Sequence, residues 1–230
     1  MHELLRLELT SIVLTLLAFR AGQWIQSKIK CPAFNPIMLA MLMVLGFMAL
    51  TGLDNGTYQA ACKRLTWLMT PATVCLAIPM YEQLQSLRKN LLAIVAGVAA
   101  GAMGCLLFLM LFTGICGFDR ELAVSLLPKS VTTAIGVPLS ALGGGIESIT
   151  TAAIILTGIS STVMGTALCK LFRLEDPISR GVAFGTAGHV IGTSKANEMS
   201  PLTGAVSSLS LVVAGLLTAL LLQVAELISL

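Results

Sequence analysis

Four stretches of the chain, Cys31 to Leu53, Leu91 to Phe118, Ser148 to Cys169 and Met199 to Ala225, contain no Asp, Glu, Lys or Arg, and each ends close to a charged residue. A membrane-crossing helix needs roughly 20 mostly apolar residues, because the hydrocarbon layer is about 30 Å thick and each helical residue rises about 1.5 Å. These four stretches therefore predict transmembrane helices. Three others are apolar but interrupted: Leu9 to Ile25 contains Arg20, Leu65 to Tyr81 contains Pro71 and Pro79, and Leu122 to Leu142 contains Lys129. An eighth, Gly181 to Lys195, is barely apolar.

The eight segments begin near residues 9, 34, 65 and 91, then 122, 148, 181 and 201, so each recurs after about half the chain. In each half the third segment is the shortest or most interrupted, and a long uncharged helix closes the half. Discontinuous helices in corresponding places of two repeats mark binding sites in many transporters. The expectation is an all-α integral membrane protein with about six to eight transmembrane helices, two broken or re-entrant segments and two inverted structural repeats. It is one transmembrane domain over residues 1–230, with halves 1–118 and 119–230. The inversion depends on a re-entrant third segment, since full crossings would make the halves parallel. Basic residues divide almost evenly between the predicted sides, so orientation stays open.

Composition agrees with the bilayer: of 230 residues, 56% are hydrophobic and 11% charged, with a mean hydropathy of +0.92. A soluble domain carries about 25% charged residues. The net charge of +3 comes from scattered basic residues, so no patch suits nucleic acid. The six cysteines form no CxxC pair and read as packing residues. His2 and His189 stand far apart in the chain, and neither a metal nor another cofactor is expected. Met1 to Phe19 carries Glu3, Arg6 and Glu8 and lacks a small-x-small cleavage site, so it reads as a first span and not a signal peptide.

Two polar segments stand out inside this apolar frame. In Pro128-Lys129-Ser130-Val131-Thr132-Thr133-Ala134-Ile135-Gly136, the proline forces a helix to break or begin. Ser130, Thr132 and Thr133 then fall in the first turns of a new helix, whose free N–H groups and partial positive charge suit a carboxylate or phosphate. Lys129 adds a full charge that, inside a membrane, faces a cavity or a partner. The alternative places Lys129 near an interface, reaching outward with its ammonium.

The second segment runs from Gly185 to Glu198. Gly185, Gly188 and Gly192 suit an unwound backbone that approaches a ligand closely. His189 suits a proton relay or, equally, an interior hydrogen bond. His189, Gly192, Thr193, Ser194 and Lys195 join the candidate binding set with Lys129, Ser130, Thr132 and Thr133, and Glu198 joins His189 as a candidate for proton coupling. Lys195 and Glu198 are spaced to pair on one helix face. Gly97 with Gly101, Gly181 with Gly185, and Gly188 with Gly192 form GxxxG pairs, read as helix contacts without chemistry. Asn35, Pro79 and Tyr81 in the first half rank lower.

At these residues the chain resembles the LrgB/CidB family. The resemblance runs over nearly the whole sequence and is carried by Pro128-Lys129-Ser130-Val131-Thr132-Thr133, Gly143-Gly144-Gly145, His189, Gly192-Thr193 and Leu76-Ala77-Ile78-Pro79-Met80-Tyr81. Ala134 departs from the pattern, where a proline is expected after the paired threonines. The resemblance implies a multi-pass protein of the bacterial cytoplasmic (inner) membrane and two functional descriptions. One is a carrier of small monocarboxylates such as pyruvate, glycolate or glycerate, similar to the chloroplast glycolate/glycerate translocator, with proton coupling. The other is an antiholin-like regulator of murein hydrolase export and cell lysis, acting with a small LrgA/CidA-like membrane partner. The expected partners are the lipid bilayer, a small organic anion and that separate chain, and a homo-oligomer stays open. An intramembrane hydrolase using Ser194 or Ser130 with His189 has candidate groups but no recognised motif, so no enzyme is expected.

Overall fold

A computed structural model of the chain describes residues 2–29 and 36–228, all of whose regular structure is helical. Asn35 lies outside the described residues. Two compact units are present, Met1–Cys75 and Leu76–Leu230.

The first unit contains α1 (His2–Lys28), α2 (Pro36–Thr51), α3 (Asn55–Ala61), α4 (Lys63–Trp67) and α5 (Met69–Cys75). A β-carbon on Gly22 of α1 would lie 2.7 Å from the carbonyl oxygen of Pro36, so these helices approach closely because Gly22 has no side chain. Thr15 Oγ1 meets Tyr58 Oη at 2.6 Å, tying α1 to α3. Asp54 caps α3 by accepting from the N–H groups of Gly56 and Thr57 at 3.0 and 2.8 Å.

The expected interruption between Leu65 and Tyr81 is present and has a simple cause. Pro71 and Pro79 each stand third in a short helix, in α5 and in α6 (Ala77–Glu82) of the second unit. A proline ring clashes with the carbonyl four residues earlier. Those residues are Trp67 and Cys75, where α4 and α5 end.

The second unit continues with α7 (Leu84–Ile115), α8 (Arg120–Leu126), α9 (Thr133–Leu142), α10 (Glu147–Leu171), α11 (Pro177–Met199) and α12 (Pro201–Ile228). Among the described residues, α7, α10 and the stretch Pro201–Val224 of α12 are long and apolar enough to cross a membrane. Leu87, Ile94 and Val98 of α7 pack with Ala205, Val206 and Ala214 of α12 to form the main apolar core.

Two helical hairpins insert beside these long helices. Residues 177–188 and 190–199 of α11 are separate helical arms, because His189 between them takes φ 43° and ψ −137°. A β-carbon on Gly192 would lie 2.5 Å from the carbonyl oxygen of Phe184, so the second arm folds back along the first. Both arms meet the same end of α12: Gly181 of the first abuts Val206, and Asn197 of the second abuts Gly204. The arms are about 18 and 15 Å long, each roughly half of the hydrocarbon layer.

The other hairpin is α8, a break over residues 127–132, and α9. Its fold-back shows in Gly136, where a β-carbon would lie 3.1 Å from the Pro128 carbonyl oxygen. Its base is held by hydroxyls: Ser125 Oγ accepts from the Ile146 N–H at 2.7 Å, and Thr150 Oγ1 donates to Ser140 Oγ at 2.6 Å. Gly145 fits between Ser125 and Ser140, where a β-carbon would collide with the Ser140 hydroxyl.

Helix α10 shows how the hairpins are arranged. The first lies along its N-terminal half, with Ser140 at Thr150 and Gly136 at Ile154. The second lies along its C-terminal half, with Phe184 at Gly165 and His189 at Gly158. Entering from opposite ends, the two tips converge on Ile154 and Gly158, near the middle of α10.

Candidate functional site

The first tip carries Lys129 and Ser130. The new helix begins only at Thr133, with Thr132 as its extended N-cap residue, so Ser130 lies in the break and not in the first helical turn as the sequence predicted. The delay follows from the short turns ahead of α9, where the N–H groups of Lys129 and Val131 donate to the carbonyls of Leu126 and Pro128. The Thr132 hydroxyl makes no cap hydrogen bond.

Lys129 Nζ lies 3.6 Å from Cys105 Sγ on α7 and 3.4 Å from Ser130 Oγ, and these last two atoms are 3.4 Å apart. Among the described residues the ion pairs are Arg64 with Glu8 and Lys195 with Glu198, so the Lys129 ammonium has no carboxylate. Cys105 precedes the end of α7 at Ile115 by ten residues, or about 15 Å of helix. That part of α7 carries no charged residue.

Beside these groups is a cleft of about 260 Å³ including its open mouth, lined by Ala102, Cys105, Leu106, Leu127, Ser130, Thr186, Ala214 and Thr218. Its enclosed part holds about one water-sized group. Thr186, three residues before the second tip, is 9% exposed, and its Oγ1 is buried without a hydrogen-bond partner. A buried hydroxyl left unsatisfied costs about 1–3 kcal/mol, so one on a residue that lines a cleft suits a ligand atom. Ser130, Thr218 and Thr186 bring hydroxyls to the cleft, and the Lys129 ammonium stands against Ser130 and Cys105 of its lining. That set suits a small anion and can orient it through hydrogen bonds.

The structure brings Lys129 and Ser130 together with Thr186 of the second segment, but it places the other sequence candidates elsewhere. His189 is 4% exposed, and its Nε2 meets the Ile154 carbonyl oxygen at 2.9 Å. Gly158 gives the ring room, since a β-carbon there would lie 2.7 Å from His189 Cε1. Thr193 is fully buried, donating to the His189 carbonyl at 2.8 Å and meeting Ser207 Oγ at 2.9 Å. Ser194 is exposed, and Lys195 pairs with Glu198 at 2.7 Å on one helix face, as their spacing predicted. Thr133 is half-buried at the start of α9, Pro79 is half-buried in α6, and Tyr81 is 79% exposed.

One expectation is corrected. The glycines of the second segment do not unwind the backbone; His189 alone breaks it, and the glycines serve close packing. A β-carbon on Gly185 would collide with the Ser207 carbonyl, and one on Gly188 with the Ser161 hydroxyl. The GxxxG pair on α7 works likewise, with Gly97 against Val182 and Gly101 against Thr186.

Cys105, Thr186 and Thr218 were not singled out from sequence. Cys105 and Thr218 sit in apolar runs that resemble ordinary span. Thr186 sits between Gly185 and Ala187 and shows its place in the cleft only through the fold.

The LrgB-like family profile matches residues 15–227 of the chain. No solved structure matches it. The chain therefore belongs to the LrgB-like family and is a membrane protein of the LrgB/CidB kind. That family is not an enzyme family, and its proteins work in general with LrgA-type partners.

Proposed function

We propose that this LrgB-like protein is a secondary carrier of small monocarboxylates, of the pyruvate, glycolate or glycerate type, and that the anion binds at the cleft between the hairpin tips. The observation that carries this reading is a cleft lined by Thr186, whose hydroxyl has no partner, with Lys129, a lysine without a carboxylate partner, against the lining residues Cys105 and Ser130. A charge inside a membrane or a buried orphan hydroxyl is costly unless a ligand or partner answers it.

Two hairpins that enter from opposite ends of α10 suit alternating access. Each is half a membrane deep, so withdrawing one opens the cleft toward one side only. A three-carbon acid is larger than the enclosed space, so loading requires a hairpin to move. Lys129 neutralises the carboxylate, while Ser130 and Thr186 donate to its oxygens. His189 stands at the bend of the second hairpin, and this reading assigns it to holding that bend on α10.

Uptake of labelled pyruvate, glycolate and glycerate into proteoliposomes tests the proposal, with and without a pH gradient and with an LrgA-type partner co-reconstituted. Uptake of at least one acid is expected, and stimulation by an inward proton gradient identifies coupling. No movement of any of the three under all these conditions overturns the reading.

A further inference from the structure

Transport chemistry leaves one reactive group of the cleft unused. Cys105 Sγ has the Lys129 ammonium at 3.6 Å and the Ser130 hydroxyl at 3.4 Å, and it opens onto the cleft. The other described cysteines differ: Cys75 and Cys116 are exposed, Cys169 is buried, and Cys62 lies 4.0 Å from Thr15 Oγ1. Among them only Cys105 has an ammonium within hydrogen-bond distance. Cysteines that react with oxidants occupy partly exposed, electropositive places of this kind.

We infer that Cys105 is an oxidation site, converted by hydrogen peroxide to a sulfenate whose oxygen occupies the position of the transported carboxylate and shuts the cleft. This rests on reading the cleft as an anion site. The sulfur attacks one peroxide oxygen, forming an S–O bond as the O–O bond breaks. The departing hydroxide combines with the thiol proton and leaves as water, and the sulfenic acid so formed gives its own proton to water to become the sulfenate. Sulfur gives up two electrons and the peroxide is reduced. Two equivalents of a small thiol reverse the change, restoring the Cys105 thiol and yielding their own disulfide and water.

Three features of the cleft favour that product. Lys129 and Ser130 already surround the sulfur and stabilise an added negative oxygen. The orphan Thr186 hydroxyl, nine-tenths buried in the same cleft, gains an acceptor. The enclosed space is the size of one water, which fits one added oxygen. Hydrogen peroxide is small and uncharged, so it enters a space of this size where charged thiol reagents do not.

The experiment exposes full-length protein in proteoliposomes to dilute hydrogen peroxide, traps sulfenates with a dimedone probe after denaturation, and maps them by mass spectrometry. Labelling of Cys105 ahead of Cys75 and Cys116, slowed several-fold by Lys129→Met, supports the site. Equal labelling of all cysteines, or the same rate in Lys129→Met, overturns it. This arm reads modification directly and does not depend on transport. In the second arm, peroxide removes most pyruvate uptake, dithiothreitol restores it, and Cys105→Ser keeps the same uptake before and after peroxide. Uptake that persists while Cys105 is fully oxidised overturns the switch. Absence of uptake in the untreated protein overturns the carrier reading, and the labelling arm still decides the site.

Discussion

Gly192 and Phe184 are in backbone contact eight residues apart: a β-carbon on the glycine would sit 2.5 Å from the phenylalanine carbonyl oxygen. A straight helix separates such residues by about 12 Å, so this contact is what makes α11 a hairpin. Gly192→Ala forces the arms apart and is expected to cost about 1–3 kcal/mol, as overfilling a packed site does. Thermal melting in detergent, followed by fluorescence-detected gel filtration, checks this. A melting temperature equal to wild type contradicts the close contact.

Hairpins also make a topological prediction. Asp176 and Ser200, at the two ends of α11, lie on one side of the membrane. Asp119 and Gly144, at the ends of the first hairpin, lie together on the other. Single cysteines at these positions, labelled with an impermeant maleimide in a background without native cysteines, are expected to divide in those pairs. Labelling that places Asp176 and Ser200 on opposite sides makes α11 a full crossing.

Much of this architecture was legible from residue chemistry. Pro71, Pro79 and Pro128 announced helix breaks, because a missing N–H and a clashing ring are local properties, although α9 continues through Pro138. The GxxxG pairs announced close helix contacts for the same local reason. The bend at His189 was not legible as such, since nothing in histidine requires a positive φ. It depends on Ile154 and Gly158 of another helix, one supplying the carbonyl and the other the room. The cleft was half legible: Lys129 is conspicuous in an apolar run, whereas Cys105 and Thr186 matter only once α7 and α11 lie against the first tip.

Gly158→Ala tests the seating of His189. The new methyl would lie 2.7–2.8 Å from the imidazole, displacing the ring from the Ile154 carbonyl. A loss of about 1–3 kcal/mol in stability is expected. His189→Ala in the same background separates the causes, because without the ring the Gly158→Ala penalty should fall to the part owed to Ile191 Cδ1, which a β-carbon there would meet at 2.8 Å. Additive losses contradict the contact.

Gly101 sets the position of Thr186. A β-carbon there would lie 3.1 Å from Thr186 Cγ2, a contact that gives way only by moving the threonine relative to α7. Gly101→Ala is expected to lower the apparent affinity for pyruvate several-fold with little change in melting temperature. Concentration-dependent uptake reads the first and gel-filtration melting the second. Unchanged affinity would remove Thr186 from the binding site.

The most direct measurement of the central claim compares two lysines. Lys129 stands at the cleft without a carboxylate, whereas Lys195 is paired with Glu198 on an exposed helix face, where an ion pair contributes about 0–1 kcal/mol. Initial rates of labelled pyruvate uptake are measured in proteoliposomes for wild type, Lys129→Ala and Lys195→Ala at matched reconstitution. The cleft account predicts that Lys129→Ala abolishes uptake while Lys195→Ala stays near wild type. Uptake undiminished by Lys129→Ala would contradict it.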